Sequence, residues 1–201
     1  MDQGIRKGII PSYQYAKKGN RAIEAAIVKI LIFDHLRINR HNGVFIAMDL
    51  MNCFDRMADP ISSLAVQRLC VAPNITNCMI RTLCKMKHYI RTAYGDSTWS
   101  YIEEPNRPLQ GAVQGNGAAS PIFIAISCVI LSYLESQVIG VNINSAITLS
   151  LFSIIAILYV DDPDILIAAR YSCESITLIC ERAQRAATSY HNAVQQTGGA
   201  V

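Results

Sequence analysis

The stretch that decides the fold of this 201-residue chain is Ile157-Leu158-Tyr159-Val160-Asp161-Asp162-Pro163, an uncharged run that ends in two adjacent carboxylates. Apolar residues lie on both sides, from Ile154 to Val160 and from Ile165 to Ala168, and this pattern predicts a β-hairpin with the acids at its tip. Adjacent carboxylates repel each other, so a cation should lie nearby. A divalent metal ion with oxygen ligands is one solution. The alternative is that both acids serve only the turn, where Asp is common.

A third acid follows another apolar run. The predicted strand Val44–Leu50 contains Asp49, and Asp55 comes six residues later. If Asp49 converges with Asp161 and Asp162, three carboxylates can hold two metal ions that clamp the attacking and leaving oxygens of a phosphoryl displacement. Such chemistry needs mainly positioning and charge neutralisation, without a nucleophilic side chain. We expect Asp55 to be a structural partner in the turn.

The rest of the chain alternates patterns typical of helices and strands, which predicts an α+β domain. The helix predicted at 22–37 is apolar on most faces, so it should pack on two sides. Further helices are predicted at 59–69, 74–87, 120–137 and 173–191, strands at 146–152 and 154–160, and a hairpin at 88–102. The 24 uncharged residues from Gln137 to Val160 are long enough for a membrane span, but polar residues interrupt them and no basic cluster flanks them. Buried strands are the better prediction.

The composition indicates an intracellular protein, in the cytoplasm or the nucleus. Seven cysteines without a C-x-x-C pair predict reduced thiols rather than a disulfide or zinc framework. The net charge is only +3, but the first 45 residues carry eight Lys or Arg and three acids. This basic segment suits contact with a phosphate backbone, and an ordinary solvated helix face is the alternative.

Three segments resemble motifs of a known family. Ala47–Asp55 (AMDLMNCFD) resembles motif A of reverse transcriptases, Gly111–Pro121 (GAVQGNGAASP) resembles their motif B, and Tyr159–Asp162 (YVDD) resembles their motif C. They occur in the family's order, and the resemblance covers roughly Gly19 to Val201. The best description is a retroelement reverse transcriptase similar to the non-LTR and group II intron type.

The resemblance implies a polymerase palm, with an antiparallel sheet packed on helices, and part of the fingers. We expect a fingers and palm domain over 19–201 that ends before the family's motif D lysine and thumb, and an uncertain N-terminal segment over 1–18. It further implies an RNA-directed DNA polymerase of a retrotransposon-type element, which adds nucleotides to a primer 3′-OH with two Mg²⁺ or Mn²⁺ ions. The expected partners are an RNA template, a DNA primer and deoxynucleoside triphosphates, without a membrane. Little activity is expected from these residues alone, and the alternative is an inactive nucleic-acid-binding remnant.

The resemblance also implies roles for individual residues. Asp49, Asp161 and Asp162 would be the catalytic metal ligands. Phe54 would crowd the 2′ position of the nucleotide, as aromatic residues do in reverse transcriptases, and core packing is the alternative. The residues expected to bind the nucleotide are Leu50, Phe54, Gln114, Gly115, Tyr159 and Val160, and those expected to contact nucleic acid are Arg21, Arg91 and Asn116.

Overall fold

The computed structural model describes residues 5–17, 19–102, 111–112, 116–145 and 147–200. Its helices in this part of the chain are α1 (Ala22–Ile38), α2 (Cys53–Arg56), α3 (Asp59–Arg68), α4 (Pro73–Cys84), α5 (Ala119–Gln137) and α6 (Ile176–Gln196). The strands are β1 (Gly43–Ala47), β2 (His88–Thr92), β3 (Gly95–Tyr101), β4 (Val141–Asn144), β5 (Leu151–Ile154), β6 (Ala156–Tyr159) and β7 (Asp162–Ala168). The mixed class predicted from the sequence is therefore confirmed.

The central sheet has the strand order β1-β7-β6 and is antiparallel throughout. The register sets Ala47 opposite Asp164 on one side of β7 and Tyr159 opposite Asp162 on the other. One further ladder bond follows, because Met48 N donates to Pro163 O over 3.1 Å. The end of β1 and the tip of the β6–β7 hairpin therefore lie at the same edge of the sheet.

Successive side chains of β7 point alternately into two separate apolar clusters. Ile165 and Ile167 belong to the main core with α5 and α6, whereas Leu166 and Ala168 belong to a smaller cluster with α1. Burying one such Leu or Ile side chain contributes about 1.5–3 kcal/mol, so both faces hold β7 in place. Because the side chains of a strand alternate, a slip of one residue would exchange the two faces, and this fixes the register at the tip.

The N-terminal segment completes the edge of this sheet beside β6. Tyr15 N donates to Leu158 O over 2.8 Å, and Leu158 N donates to Tyr13 O over 3.0 Å. The buried Gln14 side chain donates to Ser127 Oγ on α5 over 3.1 Å. The described residues of the segment 1–18 are thus part of the same domain, a role for which the sequence offered no clear signal.

Two sequence predictions about elements are wrong. The strand predicted at 146–152 is partly a turn, because Ser145 Oγ accepts hydrogen bonds from the backbone of Ile147 and Thr148 and ends the pairing there. β4 and β5 pair with each other instead. The helix α1 packs on one side only: Ala25 and Ile32 are buried, whereas large apolar residues of its outer face are exposed, namely Ile23, Ile27, Ile30, Leu31 and Ile38.

Within the described residues, α5 is the helix that is long and apolar enough to cross a membrane by length and composition. It is mostly buried in the main core, as expected for the central helix of a globular domain. The uncharged stretch from 137 to 160 forms β4, β5 and β6 where it is described.

Candidate active site

The β6–β7 turn consists of Val160 and Asp161, because Tyr159 pairs with Asp162. Val160 has a positive φ of 59°, a conformation that a β-branched residue rarely adopts and that costs about 1–3 kcal/mol. Its side chain packs on the main core, which helps to hold the strained turn. The turn therefore presents Asp161 and Asp162 in a fixed orientation, and such strain is more frequent at functional sites than elsewhere.

Asp49 lies two residues beyond the end of β1, at the same sheet edge as this turn. The bond between Met48 N and Pro163 O extends the ladder past Ala47. Continuing the register by two positions from the Ala47–Asp164 pair sets Asp49 opposite Asp162. Both residues are exposed, and Asp161 is half-buried. The structure thus brings the three acids of the predicted site to one edge.

The side chain of Asp161 points toward the motif A segment. Cys53 Sγ, at the start of α2, donates to Asp161 Oδ2 over 3.5 Å. Both residues line a cavity of about 140 Å³ together with Leu50, Asn52, Phe54 and Asp55. The cavity connects the turn of the hairpin to the first turn of α2, so substrate or an ion entering it would meet Asp161 first among the three acids.

Burial, together with the nearby Asp161 carboxylate, raises the pKa of the Cys53 thiol to about 12. The pKa of Tyr190 on α6 is also raised, first by burial and then by Cys53 and Asp161. Both groups are therefore neutral at physiological pH. The sequence did not identify Cys53 as a contact of this acid, although it comes four residues after Asp49.

Among the residues that the structure describes, the three acids have no basic partner. Asp49, Asp161 and Asp162 form no ion pair in this part of the chain, whereas Lys29 of α1 pairs with Asp164 of β7. Exposed carboxylate oxygens of this kind are the ligands that Mg²⁺ and Mn²⁺ prefer. In the described part of the chain, however, no three His, Cys, Asp or Glu side chains are grouped closely enough to hold one metal ion.

The residues expected at the nucleotide have different environments. Phe54 packs edge-on against Phe123 of α5, with ring centroids 5.8 Å apart, and also lines the cavity of Asp161. Leu50 is buried and Tyr159 is exposed. Gln114 and Gly115 lie outside the described residues. The role of Phe54 as a sugar contact stays a prediction, since its position is compatible with both contact and packing.

Gly111 connects motif B to motif A. Its φ is 87°, and an added Cβ would lie 2.3 Å from the carbonyl oxygen of Phe54. The next residue, Ala112, donates its N–H to the same oxygen over 2.7 Å. Only glycine fits this close backbone approach, which holds the start of motif B against α2.

The three residues expected to contact nucleic acid all have local structural partners. Arg91 is paired with Asp96 through two hydrogen bonds of 2.6 and 2.9 Å. Asn116 accepts a hydrogen bond from Ala118 N at the start of α5. The backbone N–H of Arg21 donates to Glu24 at the start of α1, and its side chain is exposed. Arg91 is thus already neutralised in this structure.

Comparison with known proteins gives a structural match. No protein-family model and no curated protein matches the sequence. Among solved structures, apo telomerase from Candida tropicalis, truncated from its C-terminal domain, matches 98% of this chain and 37% of its own, with a TM-score of 0.56 and 13% identity.

A second match is telomerase from Candida albicans in complex with a TWJ fragment of telomeric RNA. It covers 98% of this chain and 31% of its own, with a TM-score of 0.52 and 11% identity. The chain thus spans about a third of the length of both proteins. At such identity the likeness concerns the fold alone, which this chain shares with part of both telomerase structures.

Proposed function

We propose that this chain is the palm region, with part of the fingers, of a retroelement RNA-directed DNA polymerase. The observation that carries the proposal is the sheet edge at which Asp49, Asp161 and Asp162 lie without a basic partner among the described residues. The telomerase-like fold adds support, because it makes a nucleotidyl-transfer function the natural comparison. The proposed substrates are deoxynucleoside triphosphates and a DNA primer on an RNA template.

Asp49, Asp161 and Asp162 would hold Mg²⁺ or Mn²⁺, which neutralises phosphate charge and activates the primer hydroxyl. The chain's own residues prepare this site. The strained Val160 fixes the turn, and the neutral Cys53 thiol orients one oxygen of Asp161 by donating to it. Phe54, at the wall of the cavity, would exclude a ribose 2′-hydroxyl.

The test measures metal binding and nucleotide addition separately. We expect Mn²⁺ to bind, as followed by electron paramagnetic resonance, and a single deoxynucleotide to be added to an RNA-templated primer at low salt.

Asp161→Asn and Asp49→Asn should each reduce addition at least about a hundredfold, the loss typical of removing one group that stabilises transition-state charge. Asp34→Asn is the matched control, because Asp34 is a half-buried acid paired with Arg37 on α1, away from the three acids in sequence. Equal Mn²⁺ affinity in the wild type and Asp161→Asn would contradict the proposal.

A second candidate function is a catalytically inactive nucleic-acid-binding remnant of such an element. It is favoured by the absence, among the described residues, of three grouped metal-ligating side chains. In that case the protein would bind primer–template in a salt-dependent way. It would bind no Mn²⁺ at the acids, and the Asp variants would behave as the wild type does.

A further inference from the structure

The β2–β3 hairpin projects from the domain with aromatic side chains on its surface. Trp99 is 85% exposed and Tyr94, at the turn, is fully exposed. Tyr89 and Tyr101 each leave more than half of their surface in solvent. Aromatic residues so exposed carry a large cost of hydration, and several on one small element indicate a contact surface rather than scattered exposure.

The end of the hairpin away from its turn carries a stacked pair of rings. His88 and Tyr101 are cross-strand partners whose rings stack at 4.9 Å with an interplanar angle of 19°. Trp99 lies two residues from Tyr101 on β3, in the stretch where the register of the two strands shifts, and its ring is exposed. A planar base could stack on Trp99 or on the outer ring of the His88–Tyr101 pair.

Hydrogen bonds within the hairpin hold its two strands together. Arg91 and Asp96 form their paired hydrogen bonds across the strands near the turn. Ser97 Oγ accepts from Ile90 N over 3.0 Å and donates to Trp99 O over 2.6 Å. These bonds fix the backbone beside Trp99, so a ligand that stacks there need not order the hairpin first, and this favours binding.

A basic groove adjoins the hairpin. It has a volume of about 710 Å³, lies along α4, and is lined by Arg81 and Lys85 and, at the end nearest β2, by Met86. From Pro73 to Ile102 the sequence has four Lys or Arg and one acid. That acid, Asp96, forms an ion pair with Arg91. In the described part of the chain, Arg81, Lys85 and Lys87 form no ion pair, so their charge is available to phosphates.

We propose that the α4 groove and the β2–β3 hairpin together bind single-stranded nucleic acid, with phosphates in the groove and bases stacked on Trp99 and its neighbours. A basic groove next to exposed aromatic rings is the combination that recognises single strands without sequence preference. A duplex keeps its base faces stacked inside, so it offers no base face to the exposed rings of the hairpin. The inference extends the proposed function to a second contact surface, and it does not require that the acids be catalytic.

Trp99 is the single tryptophan of the chain, so its fluorescence reports directly on this surface. We expect a short oligouridine to quench it and a duplex of the same length to quench it much less. In anisotropy measurements with a fluorescein-labelled oligouridine, the double variant Trp99→Ala, Tyr94→Ala should weaken binding at least about tenfold. The control for a lost exposed ring is Tyr171→Ala, which should leave the affinity unchanged.

The groove is tested by salt dependence. Arg81→Gln with Lys85→Gln should lower the slope of log affinity against log salt concentration by about 1.4, since each single-strand phosphate contact contributes about 0.7. Arg185→Gln, at an exposed position of α6, is the charge control. Asp161→Asn should keep the full affinity, so that loss of metal binding or of catalysis is distinguishable from failure of this surface.

Three results would overturn the proposal. One is equal affinity of the hairpin variants and the Tyr171→Ala control. Another is tighter binding of the duplex than of the single strand. The third is self-association of the wild type in sedimentation that Trp99→Ala abolishes, because the hairpin would then be an interface between protein chains.

Discussion

The two hairpins β6–β7 and β2–β3 have turns of the same length and opposite surroundings. Both are antiparallel pairs closed by a two-residue turn. The first is buried on both faces, between the main core and the cluster under α1, whereas the second is exposed on both faces and is held by its own hydrogen bonds. Burial allows the first hairpin to keep a strained turn and repelling acids in place. Exposure leaves the second with aromatic surface for a partner.

Core truncation gives the largest effect that this comparison predicts. Ile165→Ala in β7 removes a completely buried side chain and should lower the free energy of unfolding by about 2–5 kcal/mol. The matched variant Ile90→Ala in β2 alters a side chain that is 63% exposed, and its effect should stay within about 0.5 kcal/mol. Urea denaturation of both variants provides the measurement. A similar loss of unfolding free energy in the two variants would contradict the comparison, because it would mean that Ile90 is buried in solution.

A smaller effect is expected at the wall of the Asp161 cavity. If Phe54 contacts the 2′ position of the nucleotide, Phe54→Val should raise ribonucleotide use relative to deoxynucleotide use by roughly a hundredfold in an enzymatically active background. If the ring only packs on Phe123, the same change should lower stability by about 1–3 kcal/mol and leave the ratio of kcat/KM values unchanged. Measuring the ratio and the denaturation midpoint together separates the two.

The smallest effect concerns alkaline pH. In the folded protein, burial and Asp161 raise the pKa of Cys53 to about 12, well above the ordinary thiol value of roughly 8.5 in the unfolded chain. The unfolded state therefore loses this proton first, and stability should fall as pH rises between those values, by up to about 1.4 kcal/mol per pH unit. Cys53→Ala should make the decline shallower, whereas Cys180→Ala, which alters an exposed thiol, should not. Identical pH profiles for the two variants would show that Cys53 stays solvated.

Sequence reasoning succeeded where a local pattern determines the structure. The Ser120-Pro121 start and the long apolar run predicted α5 nearly to the residue. Apolar runs on both sides of the two acids predicted the β6–β7 hairpin, and alternation predicted the β2–β3 hairpin. It failed where contacts between residues distant in sequence determine the structure. The pairing of the N-terminal segment with β6 and the one-sided packing of α1 depend on tertiary contacts that no local period reveals.

The same division applies to the candidate site. The motif order was enough to expect Asp49 near Asp161 and Asp162, because short apolar strands that end in acids tend to meet at a sheet edge. The motifs did not indicate that Cys53 would donate a hydrogen bond to Asp161 or that Arg91 would form an ion pair with Asp96. Both contacts depend on side-chain orientations after folding. The metal-binding role of the acids and the sugar contact of Phe54 stay predictions.

The backbone contact between Gly111 and Phe54 couples the cavity of Asp161 to the main core at a single position. Any side chain at position 111 would push the Phe54 carbonyl and shift the wall of the cavity that Phe54 forms. The same shift would reach the core, because Phe54 packs on Phe123 of α5 and the neighbouring Ala112 is buried there. A substitution of this glycine should therefore impair the fold and the candidate site together, so that neither can be altered at this position without the other.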